Sequence, residues 1–204
     1  KSSQSLPTRR GYRLASGVKM SLCQTADCPG SRVGNSKGLC GLLPDDVQDR
    51  LVAAGSVQDF PAGRVIWDGD AAPGFVALVL SGYLRLQRYG MDGQRQILSL
   101  MTPGDIIGEY PGRSVGSSLE AATPVRLFRL ENAVFDTLME EEPDLRRAVY
   151  LLRQAKLDQL RWMTWALGAL SAEERVCAFL ALATQHMPYE LQTDGSGVLT
   201  VDLP

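Results

Sequence analysis

The chain has 204 residues, 45% hydrophobic and 22% charged, an ordinary composition for a folded globular protein of one large or two small domains. With 21 basic against 23 acidic residues the net charge is −2, so there is no global basic footprint for nucleic acid. The longest apolar candidate, Phe75 to Leu80, falls far short of the roughly 20 residues that cross a bilayer, which excludes a membrane-spanning helix.

Residues 1–40 mix Ser, Gly, Lys, Arg and Cys with little hydrophobic periodicity and read as a flexible, cysteine-bearing N-terminal segment. The basic residues at its start precede no apolar run of the kind a secretory signal needs, so a cytoplasmic protein is expected. In that compartment Cys23, Cys28, Cys40 and Cys177 are expected to be reduced, and a cluster of them points to metal or redox chemistry rather than a disulfide framework. From Leu43 the texture changes. Pro44-Asp45-Asp46 followed by Val47, Leu51 and Val52 has the acidic first turn and the apolar spacing of a short helix.

A β-type region, residues 41–142 as a unit, then begins. Its short runs are Arg64–Trp67, Phe75–Leu80, Tyr83–Tyr89, Gln96–Met101 and Val125–Leu130, punctuated by Gly and Pro. Asp92-Gly93 supplies positive-φ positions for a tight hairpin. Gly82 and Gly104 stand where tight turns are needed, and Pro103 cannot continue a ladder. Short strands at this spacing predict a compact β-sandwich or β-roll.

The period then becomes helical. Asn132–Glu141 forms one short helix, and Pro143 opens a second that runs to about Leu170. At roughly 25 residues this second helix is about 38 Å long. It carries two apolar stripes. One contains Tyr150, Leu157, Leu160 and Leu167, with Thr164 on the same face; the other contains Leu145, Val149, Leu152 and Met163. One stripe is expected to pack on the β-roll and the first-named to pair with the same helix of a second copy. Ser171-Ala172-Glu173-Glu174 is a capping box that starts a further helix through His186, and residues 195–202 read as a hairpin. His186 is read as a helix C-terminal residue, Trp162 and Trp165 as packing residues, and Cys177, among Val176, Phe179 and Leu180, as a small buried hydrophobe.

An enzyme would need a nucleophile with its base, paired carboxylates in a cleft, or a phosphate-cradling loop followed by Lys. The chain has one His and no GxxxxGK, HExxH or GxSxG sequence, so a non-catalytic protein is expected.

The ordered segment SGYLRLQRYGMDGQRQILSLMTPGDIIGE, residues 81–109, resembles the core of the cyclic-nucleotide-binding-like β-roll. The long helix running into SAEERVCAFL resembles the dimerisation helix and the first helix of the winged helix-turn-helix domain in Crp/Fnr transcription regulators, particularly the Fnr and FixK branch. Together the resemblance spans residues 40–204. It implies an α+β fold made of the β-roll, a dimerisation helix over 143–170, and the start of a DNA-binding domain over 171–204. In that family a strand like VLTVDLP is followed by the helix-turn-helix, which is expected beyond Pro204. The resemblance further implies a homodimer on a palindromic promoter site in double-stranded DNA, contact with RNA polymerase, and a signal that alters dimer geometry. A ligand-sensing or protein-interaction β-roll module without DNA binding is the competing reading.

Two candidate sites follow from the resemblance. Cys23-x4-Cys28-x11-Cys40 lies where oxygen-sensing members carry thiolates for a [4Fe-4S] cluster. The spacing is wider than in that branch, and Val125–Arg129 lacks the later cysteine. Asp27 or another carboxylate could complete the set, and thiol redox sensing or a lost cluster site are the alternatives. Glu109 and Arg113 stand where cyclic-nucleotide binders hold the ribose hydroxyl and the phosphate. Only Tyr110-Pro111-Gly112 separates them, so the phosphate cassette is shortened, and both residues are expected to be surface or interdomain ion-pair partners.

Overall fold

The structure, a computed structural model, describes residues 38–69, 73–108, 116–186, 189–191 and 197–199. A short 3-10 turn, Leu39–Leu42, leads into helix α1, Asp45–Ala54. Eight strands follow: β1 Ser56–Phe60, β2 Val65–Trp67, β3 Phe75–Ser81, β4 Leu84–Tyr89, β5 Arg95–Met101, β6 Ile106–Ile107, β7 Ser118–Ala121 and β8 Val125–Glu131. They form two antiparallel four-stranded sheets, ordered β1-β8-β3-β6 and β2-β7-β4-β5. Helices α2, Asn132–Glu141, α3, Pro143–Ala169, and α4, Ala172–His186, come next. A hairpin of β9, Tyr189–Leu191, and β10, Gly197–Leu199, completes the described chain.

The uninterrupted apolar run of β3 is explained by burial on both faces. Side chains alternate across a strand, so Phe75, Ala77 and Val79 enter the roll interior with Leu84, Ile107, Leu119, Ala121, Val125 and Leu127. Val76, Leu78 and Leu80 turn the other way and join Phe128 and Leu130 of β8 beneath the helices. Those helices contribute Leu39, Leu43, Val47, Leu51, Phe135, Leu138, Leu145, Ala148, Val149 and Leu152. The sheet containing β3 and β8 thus separates two cores, one inside the roll and one between roll and helices.

Turn chemistry sets the register. Gly82 has φ +80°, and a Cβ there would approach the Pro124 carbonyl oxygen to 2.2 Å, so only glycine fits between β3 and β4. In the β4–β5 connection, Gly93 has φ +77°, its N–H donates to Gly90 O at 3.0 Å, and Asp92 Oδ1 accepts from Gln94 N at 3.1 Å.

Several expectations need correction. The boundary at residue 40 falls inside the 3-10 turn, whose Leu39 and Cys40 are buried. The C-terminal hairpin pairs 189–191 with 197–199 rather than lying within 195–202. Strands β1, β6 and β7 had no sequence counterpart. The expected runs at 64–67, 75–80, 83–89, 96–101 and 125–130 each coincide with a strand to within a residue or so.

Candidate functional site

Helix α3 is 27 residues long, opens with Pro143 and Asp144, and needs its two sides for different tasks. Leu145, Ala148, Val149, Leu152 and Ala166 are buried. Adjacent on the helix surface, Tyr150, Leu157 and Leu167 stand 67%, 42% and 64% exposed, Thr164 is exposed and Leu160 half-buried. These five positions follow the three-and-four spacing of a helix-pairing seam. The structure therefore packs Leu145, Val149 and Leu152 of the second stripe against the roll, leaves Met163 half-buried, and leaves most of the first stripe open.

Where α3 crosses the turn between β5 and β6, one ionic contact joins helix to roll. Lys156 Nζ donates to Asp105 Oδ2 and to Leu100 O, each at 2.9 Å. Asp105 also accepts from Thr102 N at 2.8 Å, and its side chain is 6% exposed. Both charges are thus mostly removed from water and answered by each other and by backbone. Beside them lies an open groove of about 240 Å³ lined by Gly104, Asp105, Ile106, Leu152, Arg153, Lys156, Leu157 and Leu160. It borders the exposed seam. On the other flank of the same turn, a Cβ added to Gly38 would lie 3.8 Å from Gly104 Cα. Gly38 caps the 3-10 turn that carries buried Cys40 and that packs against α3. Cys40 and the β5–β6 turn thus meet the helix in one neighbourhood.

A second polar group lies on the sheet ordered β2-β7-β4-β5. Arg85 donates to Glu120 Oε1 at 2.7 Å, and Gln87 donates to Glu120 Oε2 at 2.8 Å and to Tyr89 Oη at 3.3 Å. Arg85 and Glu120 are cross-strand partners, as are Gln87 and Ser118, and by strand alternation all four point away from the roll interior that Leu84 and Leu119 fill. The hydrogen bond from Arg85, joined by that from Gln87, holds the Glu120 carboxyl below its ordinary range. Sequence reading passed over this group; its visible trace is Arg85 and Gln87 alternating with Leu84 and Leu86 along β4.

The other candidates divide. Cys40 is buried, whereas Cys23, Cys28 and Asp27 lie outside the described residues, as do Glu109 and Arg113. Among the described residues no group of three or more His, Cys, Asp and Glu could hold a metal. Cys177 is exposed, and its neighbours Val176, Phe179 and Leu180 are each about half exposed, so the expected burial of Cys177 is corrected: nothing described covers that side of α4. Trp165 is 50% exposed and Trp162 and Met163 are half-buried, which makes Trp165 a surface residue of this chain. The capping box is present, with Ser171 N donating to Glu174 Oε2 at 2.9 Å and Glu174 N to Ser171 Oγ at 3.3 Å. His186 ends α4. No helix among the described residues is long and apolar enough to cross a membrane.

Comparison with known proteins places these features in context. Residues 57–142 match the cyclic nucleotide-binding domain family. The chain is 27% identical over 184 residues to the transcriptional activator protein FnrL of Cereibacter sphaeroides, covering 90% of this chain and 72% of that protein. It is 32% identical over 130 residues to the nitrogen fixation regulation protein FixK of Azorhizobium caulinodans, covering 64% of this chain and 52% of that one. The chain thus spans about half the length of the FixK relative. Among solved structures, FixK2 from Bradyrhizobium japonicum shares the fold with a TM-score of 0.60 at 22% identity, covering 66% of this chain and 68% of that one.

Proposed function

We propose that this chain is a transcription regulator of the Crp/Fnr type, supported by its similarity to FnrL and FixK and by the shared fold of FixK2, and that it acts as a cytoplasmic, non-catalytic homodimer that binds a two-fold-symmetric site in double-stranded DNA. The observation that carries this reading is the seam of α3, with Tyr150, Leu157, Thr164 and Leu167 exposed and Leu160 half-buried, on a helix whose adjacent face is already committed to the roll. A helix with one face buried and another apolar face open has a natural partner in its own copy, and a closed two-fold dimer satisfies both copies at once. Two DNA-reading domains held at the ends of such a helix pair would be set at the spacing of two half-sites.

The signal in this reading enters beside α3. Cys40 is buried in the turn that packs on the helix, so a chemical change at the N-terminal cysteines shifts the balance between two packings of α3 rather than acting on DNA directly. Thiolates at Cys23, Cys28 and Cys40 are the candidate ligands of a [4Fe-4S] cluster, which would supply sensitivity to oxygen or nitric oxide. Of the three, the structure describes only Cys40, which is mostly withdrawn from solvent, and β8 carries no cysteine. With no cysteine on β8, a fourth ligand would have to come from Asp27 or another carboxylate, and thiol redox chemistry at the same cysteines is the alternative. The β4–β5 hairpin, with Met91 fully exposed, is read as an ordinary solvated turn, and a contact with RNA polymerase there is the alternative.

Two experiments test the reading. Full-length protein purified without oxygen is mixed with a random duplex pool, and the bound DNA is sequenced; a two-fold-symmetric consensus is expected, and no enrichment would leave the β-roll module without DNA binding as the better account. The same preparation is examined by ultraviolet-visible spectroscopy with iron and sulfide analysis before and after air. A broad band near ~400 nm that bleaches in air, with stoichiometric iron, assigns the cysteines to a cluster; a colourless, iron-free protein assigns them to thiol chemistry or to no sensing role.

A further inference from the structure

The seam of α3 contains a residue that the apolar pattern conceals. The positions 150, 153, 157, 160, 164 and 167 alternate steps of three and four, and Arg153 fills the place between Tyr150 and Leu157. Arg153 is exposed and lines the groove between α3 and the β5–β6 turn. The other cations nearby are neutralised: Lys156 by Asp105 at 2.9 Å and Arg161 by Asp158 at 3.0 Å. Arg153 has no ion-pair partner among the described residues.

In a parallel pair related by a two-fold axis, each seam residue meets its own copy. Leu157, Leu160 and Leu167 gain by that, whereas Arg153 is brought against a second guanidinium in a partly desolvated setting, where like charges repel more strongly than in water. A guanidinium presents its donors as a planar fork that suits phosphate and carboxylate oxygens. The groove beside each Arg153 is open and has apolar walls in Ile106, Leu152, Leu157 and Leu160, so there is room for more than a bare ion.

Resting on the helix-paired dimer argued above, we propose that the two Arg153 side chains form an oxyanion site on the dimer axis, and that a phosphate-bearing ligand held between them stabilises the helix pair. The site couples ligand occupancy to dimerisation. The anion cancels the repulsion that the seam builds in, and any apolar part of the ligand lies in the groove against the roll and the helix together.

Sedimentation equilibrium of the full 204-residue chain tests this in chloride and in inorganic phosphate or pyrophosphate at matched ionic strength, which keeps general screening constant. The dimer dissociation constant of the unaltered chain is expected to fall about tenfold or more in pyrophosphate. Arg153→Leu is expected to dimerise about tenfold more tightly than the unaltered chain in chloride and to ignore the anion. Arg153→Gln, which keeps a polar seam without charge, is expected to lose the anion response as well. A dimer equally tight in both salts with Arg153 present overturns the oxyanion site and leaves the helix pair standing. Chains that remain monomeric at every concentration in all three forms overturn the helix pair, and the site with it.

Discussion

Lys156 and Asp105 show how much of the coupling between roll and helix rests on single side chains. Asp105 is buried and takes its charge balance from Lys156 Nζ at 2.9 Å. Lys156→Met would keep most of the packing and leave a buried carboxylate without its cation, a loss of about 3 kcal/mol. The midpoint of urea unfolding should fall accordingly with little change in slope, whereas a loss below about 0.5 kcal/mol would place the contact among weak surface pairs. Glu120 gives a prediction in pH. Arg85 and Gln87 depress its pKa in the folded state below the ordinary 4.5, so the stabilisation is complete above that value and is lost as pH falls through the folded pKa. Urea midpoints measured from pH 7 down to about 3.5 should drop more steeply for the unaltered chain than for Glu120→Gln below about pH 4.5. Parallel curves would remove Glu120 from the account.

At the scale of the element, α3 is one helix with two differently employed sides, and substitutions on them should separate. Leu145 is fully buried between helix and roll, so Leu145→Ala should destabilise the fold by about 2–5 kcal/mol, read as a lower thermal midpoint. Leu167→Ala, on a residue 64% exposed in the single chain, should scarcely move the unfolding of a monomer and should weaken association. Equal effects of the two on monomer stability would contradict the division of faces. The division was legible because α3 has periodic apolar residues over seven turns, and β3 was legible because a strand buried on both faces reads as an unbroken apolar run. Strand β1 was not, since Ser56–Phe60 is exposed over most of its length and its pairing with β8 comes from chain topology rather than from its own side chains. Strands β6 and β7, with two and four residues, are too short for a period to register. Cys177 was misread for a different reason: apolar neighbours at helical spacing signal a face to be covered, and they do not say whether the cover belongs to the same part of the chain.

For the whole molecule, the arrangement is two cores on either side of one sheet, with a helix that continues from the outer core into an open seam. The 3-10 turn bearing Cys40, strand β6 and, through Lys156, the β5–β6 turn all meet α3 within that outer layer. The Arg85–Gln87–Glu120 group, on the second sheet, contributes to the stability of the roll from its far side. Composition alone pointed away from nucleic acid, because a net charge of −2 gives no global basic footprint. In the proposed dimer the β-roll would serve as the platform and α3 would link its state to the second copy.

The most direct test of this account is the molar mass of the chain with and without an intact seam, measured by size-exclusion chromatography with light scattering. The unaltered chain is predicted to elute at twice its 22.2 kDa mass. Leu160→Asp, which buries a carboxylate against its own copy on the dimer axis, is predicted to elute as a folded monomer with unchanged helical circular dichroism. A Leu160→Asp chain that remains a dimer, or an unaltered chain that is monomeric at every concentration, would contradict the placement of the partner on α3.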